Sequence, residues 1–436
     1  MQQLLELSVG QQRAALLLIP FLIAGAAILV ARPGQRLLAG VFIASLWNLT
    51  TLVLVNLLAL RMGWWEFNAS GGLLLGLPFD VLLGWSVWWG AALVLLFRGR
   101  HIALALLTAL WIDLLAMPRL SPLVQLGDGW LWGEALGLAA CFLPGWLLAG
   151  FTARDVHVGW RAGAQAFITG ILLFLMLPAV ILEHSGGSVW ELAQRPAWQI
   201  SLVLNALLIP IVLGLAASQE FAERGDGTPI PFDPPKHLVV TGPYAYVANP
   251  MQISVVSSLL VLGIAYQSLL LAAAAVVAVI YSLGIVRWHH TIDMQPRFGE
   301  AWRSYQSHVR NWVPRWRPWI EAPSTVYFAG YCAICRDTRH WVERLGPVGL
   351  QIRDASEHPE PLTRMTYHFP DGSEVSGIYA IAACMNHVNL ACAYLGWFMR
   401  LPLVRPVLQV LIDGTGERAV PPPRPGQANV ARRPKA

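Results

Sequence analysis

Charge is what this sequence has least of. Only 13% of its 436 residues are Asp, Glu, Lys or Arg, about half of the roughly 25% usual in a soluble globule. That deficit excludes a chain folded wholly in water. With 56% hydrophobic residues and a mean hydropathy of +0.53, lipid is the expected solvent. Cysteine is also scarce. Cys141, Cys332, Cys335, Cys384 and Cys392 make no disulfide framework. No internal repeat period stands out, which argues against a solenoid. The net charge of +5 is modest, and no nucleic-acid partner is expected from it.

What the chain does have is apolar runs. A spanning helix needs about 20 mainly apolar residues. Runs at roughly 14–31, 37–60, 72–97, 101–118, 131–151, 164–182, 198–217, 251–264 and 269–286 predict about nine spans. The last two form a hairpin turned at Ala265-Tyr266-Gln267-Ser268. Many of the 20 Trp sit near predicted helix ends, where a ring faces acyl chains while its N–H stays hydrated. The first run is followed by Arg32 and Arg36 and reads as an anchor rather than a cleaved signal. With the N-terminus outside, Arg32, Arg36, Arg98, Arg100, Arg154, Arg161, Arg224 and Lys236 all fall on the cytoplasmic side. That bias predicts a multi-pass protein of a bacterial inner membrane with a cytoplasmic C-terminal domain. Asp80, Asp113 and Glu134 lie within or beside apolar runs. Intramembrane carboxylates are functional candidates, but the plainer expectation is that these sit at helix ends and are hydrated.

The sequence becomes specific after residue 198. A Pro/Gly-rich loop contains Thr241-Gly242-Pro243-Tyr244-Ala245-Tyr246-Val247-Ala248-Asn249-Pro250-Met251. The apolar hairpin follows, then Phe298-Gly299-Glu300-Ala301-Trp302-Arg303-Ser304-Tyr305 and Val313-Pro314-Arg315. A rigid loop with aromatic walls suits a flat cationic ligand, because aromatic faces attract sulfonium or ammonium. His289, His290 and Asp293 share a helical face, yet no third imidazole or thiolate stands near them, so no metal is expected.

This order of elements resembles the isoprenylcysteine carboxyl methyltransferase and phospholipid methyltransferase families of membrane enzymes, over about residues 198–320. The resemblance implies an S-adenosylmethionine site formed by Tyr244, Tyr246, Asn249, Pro250, Met251, His290, Phe298, Tyr305 and Arg315. It also implies a membrane lipid or isoprenoid-type acceptor that enters from the bilayer. The chain departs from the family pattern at Ala248 and Gln252, where Arg and Tyr are usual, and at Asn311. His290 and Thr291 replace two Glu that would neutralise the cofactor's ammonium group. Each such charge-assisted hydrogen bond is worth roughly 1.5–3 kcal/mol.

Near the C-terminus, Ser324–Phe328 reads as a strand, Cys332-Ala333-Ile334-Cys335 follows, Arg336–Leu345 reads as a helix, and Gly349–Arg353 as a second strand. A dithiol between a strand and a helix start is the thioredoxin-like redox arrangement. The helix N-terminus favours a thiolate, so Cys332 is the expected nucleophile and Cys335 the resolving thiol. The other readings are a zinc half-site or two inert thiols. Cys384 and Cys392 lie on an apolar helical stretch and offer no second Cys-x-x-Cys. The segment 324–415 resembles the DCC family of thiol-disulfide oxidoreductases, through Ala329-Gly330-Tyr331-Cys332, Asp371-Gly372, Gly377-Ile378-Tyr379-Ala380 and Leu401-Pro402-Leu403-Val404-Arg405-Pro406. The family's Asp is here Ala329. A redox partner protein is implied.

The expected architecture is thus an all-α polytopic membrane domain followed by a small, water-soluble α/β thioredoxin-like domain. Its parts are 1–197, helices of unassigned role; 198–320, methyltransferase-like; 321–418, DCC-type; and 419–436, a disordered basic tail. The expected activity is methyl transfer to an apolar acceptor beside a dithiol. The alternative is a catalytically inactive, lipid- or quinone-binding scaffold that serves the dithiol.

Overall fold

Seven helices, among the described residues, are long and apolar enough to cross a membrane: α1 (Val9–Ala31), α2 (Gln35–Met62), α3 (Phe79–Leu96), α4 (Ile102–Arg119), α5 (Trp130–Arg154), α6 (Val158–His184) and α7 (Ala197–Gly225). The computed structural model of the chain describes residues 7–229, 233–289, 293–328 and 333–415. The other two expected runs also form apolar helices, α8 (Pro250–Ala265) and α9 (Leu269–His289). Pro250–Ala265 is shorter than the seven, and α9 is apolar over Leu269–Gly284. The chain is therefore mostly helical, as an integral membrane protein would be, because a lipid-facing backbone must satisfy its own polar groups.

Contacts divide the chain into two compact units. The first is Met1–Val203, Phe221–His237 and Leu262–Ala274; the second is Leu204–Glu220, Leu238–Val261 and Ala275–Ala436.

The first unit is a helix bundle. Ser8 caps α1 through a capping box with Gln11, and Gly63 closes α2 at φ +67°. Polar side chains inside α2 donate to carbonyls of their own helix. Asn48 and Asn56 donate to the carbonyls of Ala44 and Leu52 at 2.8 Å, and Thr51 donates to Trp47 at 2.7 Å. Helix backbones approach closely where side chains are absent: a Cβ on Gly84 would lie 2.1 Å from the Leu16 carbonyl oxygen, and one on Gly90 would lie 2.5 Å from the Ser45 backbone. Such small-residue contacts replace hydrophobic driving force in lipid. Three helices carry a π-helical turn, at Trp88–Ala92, Leu138–Phe142 and Leu172–Met176. Two short ribbons cover loops: β1 (Trp65–Phe67) pairs with β4 (Val124–Leu126), and β2 (Leu73–Leu74) with β3 (Leu77–Pro78). Helix-end charges gather in one network. Asp155 contacts Arg36, Arg161 and Lys236, and Arg161 also pairs with Asp233. Hydrogen bonds from Arg36, Lys236 and Arg161 hold the Asp155 carboxyl well below the usual carboxylate range.

The second unit contains helix α10 (Gln295–His308), a four-stranded sheet and helices α11 (Ala333–Arg344), α12 (Ile378–Met385), α13 (Leu390–Arg400) and α14 (Val404–Thr415). The strands are β5 (Ser324–Phe328), β6 (Leu350–Asp354), β7 (Thr366–His368) and β8 (Glu374–Ser376), in the order β6-β5-β7-β8. β5 and β6 are parallel, joined through α11, while β7 and β8 are antiparallel. Val326, Phe328, Tyr367, Ala380 and Ala383 form the core on this sheet. The last two helices of this unit are strongly apolar. α13 and α14 meet at 92° and together pass the length and hydropathy test for a span. They leave Leu395, Leu403, Val407, Val410 and Leu411 exposed, far more apolar surface than water-facing helices carry.

Candidate functional site

The loop at 241–251 is built around one glycine. Gly242 sits at φ +57°, and a Cβ there would meet the Glu220 carboxylate at 2.9 Å. The chain then makes a tight helical turn over Gly242–Ala245 and enters α8 at Pro250, whose fixed φ suits the first helical position. Tyr244, Tyr246 and Asn249 are all buried. The Tyr305 hydroxyl donates to the Tyr244 carbonyl at 2.8 Å, and the Tyr246 hydroxyl donates to the Asn386 carbonyl at 3.0 Å. Burial pushes the pKa of Tyr244, Tyr246 and Tyr305 upward, so all three stay neutral donors.

The second motif stretch packs on the first. Phe298, Trp302 and Tyr305 of α10 share a cluster with Leu238, Val240 and Ala248 of the loop. The Arg315 backbone N–H donates to the Tyr246 carbonyl at 3.0 Å, while its guanidinium caps the carbonyls of His308 and Arg317. Met251 takes a weak bond from the Ser218 hydroxyl at 3.6 Å. Tyr244, Tyr246, Asn249, Pro250, Met251, Phe298, Tyr305 and Arg315 thus lie on one connected piece of the second unit, and His290 lies outside the described residues. Asn249 stands out. Its Nδ2 is buried with no acceptor among the described residues, although buried amides are normally bonded.

Sequence reading missed the ion network beneath this loop. Glu220 is buried, and its carboxylate meets Arg400 at 2.6 Å and accepts from Thr241. Arg400 also donates to the Tyr379 hydroxyl at 2.7 Å and lies 4.6 Å from that ring's centre. Nothing in the local pattern around Glu220 or Arg400 marks them, because the partners are 180 positions apart.

The dithiol is only partly in view. Cys332 lies outside the described residues; Cys335 falls in the first turn of α11, directly after β5 in chain order. Cys384 is fully buried, and that burial pushes its thiol pKa up. His387 is buried nearby, with Nδ1 2.7 Å from the Val348 carbonyl and Nε2 2.6 Å from the Tyr367 hydroxyl.

In the first unit the hydrated reading of two carboxylates is overturned. Asp113 is 0% exposed and Glu134 6%. The two carboxyl groups lie beside each other. Trp89, in the first π-helical turn, donates to Asp113 at 3.1 Å. Asp113 Oδ1 and Glu134 Oε1 have no protein donor among the described residues. Asp113 lines a groove of about 480 Å³ together with Gln12, Trp85 and Trp88. Asp80 behaves differently: it is half-buried and clamped by Arg13 at 2.8 Å. Sequence reading placed Asp80 and Glu134 close to helix ends but had no means of seeing which neighbour would cover them.

Compared with known proteins, the chain matches no family model, no curated protein and no solved structure.

Proposed function

We propose that the chain is a membrane-embedded methyltransferase-like protein that binds S-adenosylmethionine and acts on an apolar, membrane-borne acceptor, with a Cys332/Cys335 thiol-disulfide centre on its C-terminal part. The observation that carries the reading is the meeting of two remote stretches. The 241–251 loop and the 298–315 segment join through the Tyr305–Tyr244 bond and the Phe298–Trp302–Ala248 cluster. The unmatched Asn249 amide supplies a donor for a ligand at the same place. Methyl transfer asks mainly for positioning and exclusion of water, and a buried, aromatic-lined loop supplies both. Full-length protein in detergent should bind S-adenosylmethionine by calorimetry. Asn249→Ala should weaken that binding about tenfold, the loss of one buried hydrogen bond. Absence of binding at millimolar ligand would sink the proposal.

A second reading, a lipid- or quinone-binding scaffold without methyl transfer, is favoured by a specific observation. The Tyr246 and Tyr305 hydroxyls are already engaged by backbone carbonyls, and His290 and Thr291 stand where the family has Glu. Binding that appears only in His290→Glu/Thr291→Glu would select this reading.

For the dithiol, the parallel β5–α11–β6 unit extended by the β7–β8 hairpin supports the thioredoxin-like proposal. In it, Cys332 attacks a partner disulfide and Cys335 releases the reduced partner, leaving the Cys332–Cys335 disulfide. Cys332→Ser should abolish rapid alkylation at neutral pH while Cys384→Ser leaves it intact. Equal rates in the two variants would count against a tuned thiolate.

A further inference from the structure

Three ligand-type atoms converge at the edge of the C-terminal sheet. His368 on β7 and Glu374 on β8 are directly paired across the antiparallel ladder. That register places the His368 Nε2 atom 2.8 Å from Glu374 Oε2. His358, from the segment that follows β6, brings its own Nε2 to 3.1 Å from His368 Nε2 and 3.8 Å from Glu374 Oε2. Tyr327 of β5 sets its ring edge-on to both imidazoles, with centroids 5.0 Å away, and closes the inner side. The His358 side chain is 5% exposed and His368 27%, whereas Glu374 is 56% exposed. The cluster is therefore anchored inside and open outside.

The three atoms are held close enough together to bind one ion. His358 Nδ1 lies 2.8 Å from the Glu360 carbonyl and 3.1 Å from the Glu360 backbone N–H. His358 Nε2 faces His368 Nε2, which also faces a carboxylate oxygen. A cation satisfies all three at once. Donors held about 2 Å from a tetrahedral zinc ion are separated by about 3.3 Å, and 2.8, 3.1 and 3.8 Å bracket that spacing. The Glu360 backbone holds the far nitrogen of His358, as an outer-shell contact does for a metal-binding histidine.

We infer that His358, His368 and Glu374 form a Zn²⁺ site with an open fourth position toward solvent. Two imidazoles and one carboxylate with a free position suit zinc or another late first-row ion over Mg²⁺ or Ca²⁺. The ion ties the His358 segment to the β7–β8 hairpin, so its binding stabilises that end of the sheet. The site does not depend on the methyl-transfer proposal or on the dithiol.

The test uses full-length protein in detergent, carrying Cys332→Ser and Cys335→Ser so that those two thiols play no part. After chelation and dialysis it is titrated with ZnCl₂ and, separately, with CoCl₂. The expected result is a single equivalent of Zn²⁺ retained and visible Co²⁺ ligand-field bands without a thiolate charge-transfer band. His358→Gln/His368→Gln should lose both signals, and Glu374→Gln should weaken binding by about tenfold or more. Metal-free circular dichroism matching the parent shows that the double variant is folded. Should that dichroism differ, Glu374→Gln alone decides. Retention of no Zn²⁺ by the parent, undiminished Zn²⁺ in the double variant, undiminished affinity in Glu374→Gln, or a Co²⁺ spectrum dominated by thiolate would each overturn the inference.

Discussion

Glu220 and Glu134 are both buried acids on long apolar helices, one in each unit, and their surroundings differ in kind. Glu220 has a guanidinium at 2.6 Å and a hydroxyl donor. Glu134 faces another acid, and one of its oxygens has no protein donor among the described residues. The first arrangement closes an electrostatic circuit and holds a loop, a membrane helix and two C-terminal helices together. The second leaves acid chemistry beside a lipid-type groove, which packing alone does not require and which intramembrane function often does.

The comparison breaks most readily at Arg400. Arg400→Ala should lower stability by about 3–5 kcal/mol, because the Glu220 carboxylate is left buried and uncompensated. Thermal unfolding of the detergent-solubilised protein reads it. Adding Glu220→Leu to Arg400→Met should recover most of the loss, since removing both charges removes the penalty. A double variant as unstable as Arg400→Ala would mean that the pair matters through its shape rather than its charge.

The next effect is a pH dependence of the second unit. Burial lowers the His387 pKa from 6.5 to about 4, against a smaller upward pull from the Val348 carbonyl. Above pH 6.5 the ring is neutral whether folded or unfolded. Between pH 6.5 and about 4 the unfolded chain takes up a proton that the folded ring refuses, so stability falls by roughly 3 kcal/mol, then levels off. His387→Gln should flatten this slope, measured as apparent Tm against pH. An unchanged slope would assign it to other groups.

The smallest effect belongs to the acid pair. Glu134→Met should change stability by less than about 1 kcal/mol, because it strands no counter-ion and removes one acid from beside another. A loss as large as that of Arg400→Ala would make Glu134 a structural residue and erase the contrast between the units.

Particular elements explain what was legible. The strand Ser324–Phe328 is observed where the sequence placed it, since a β-branched and aromatic run starting after Pro323 is a local signal. The hairpin turn was legible too: α8 ends at Ala265 and α9 begins at Leu269, as the break in hydropathy requires. β7 and β8 were not, being three residues each, too short for any alternation to register. The convergence of Tyr305 on Tyr244 was anticipated only through a resemblance, because no spacing rule links positions 61 apart. His358, His368 and Glu374 carry no metal-binding spacing at all, and only the β7–β8 register and the Glu360 contact bring them together.

The sequence by itself determined where the helices run, because hydropathy adds up residue by residue along about 20 consecutive positions and lipid reads that sum directly. Tertiary structure alone decided which buried polar groups received partners. Glu220 met a cation from 180 positions away, Asp113 and Glu134 met each other, and two histidines met a glutamate across a strand pair. The physical reason is that burial can be read locally, whereas satisfying a buried charge depends on which remote side chain the packing delivers.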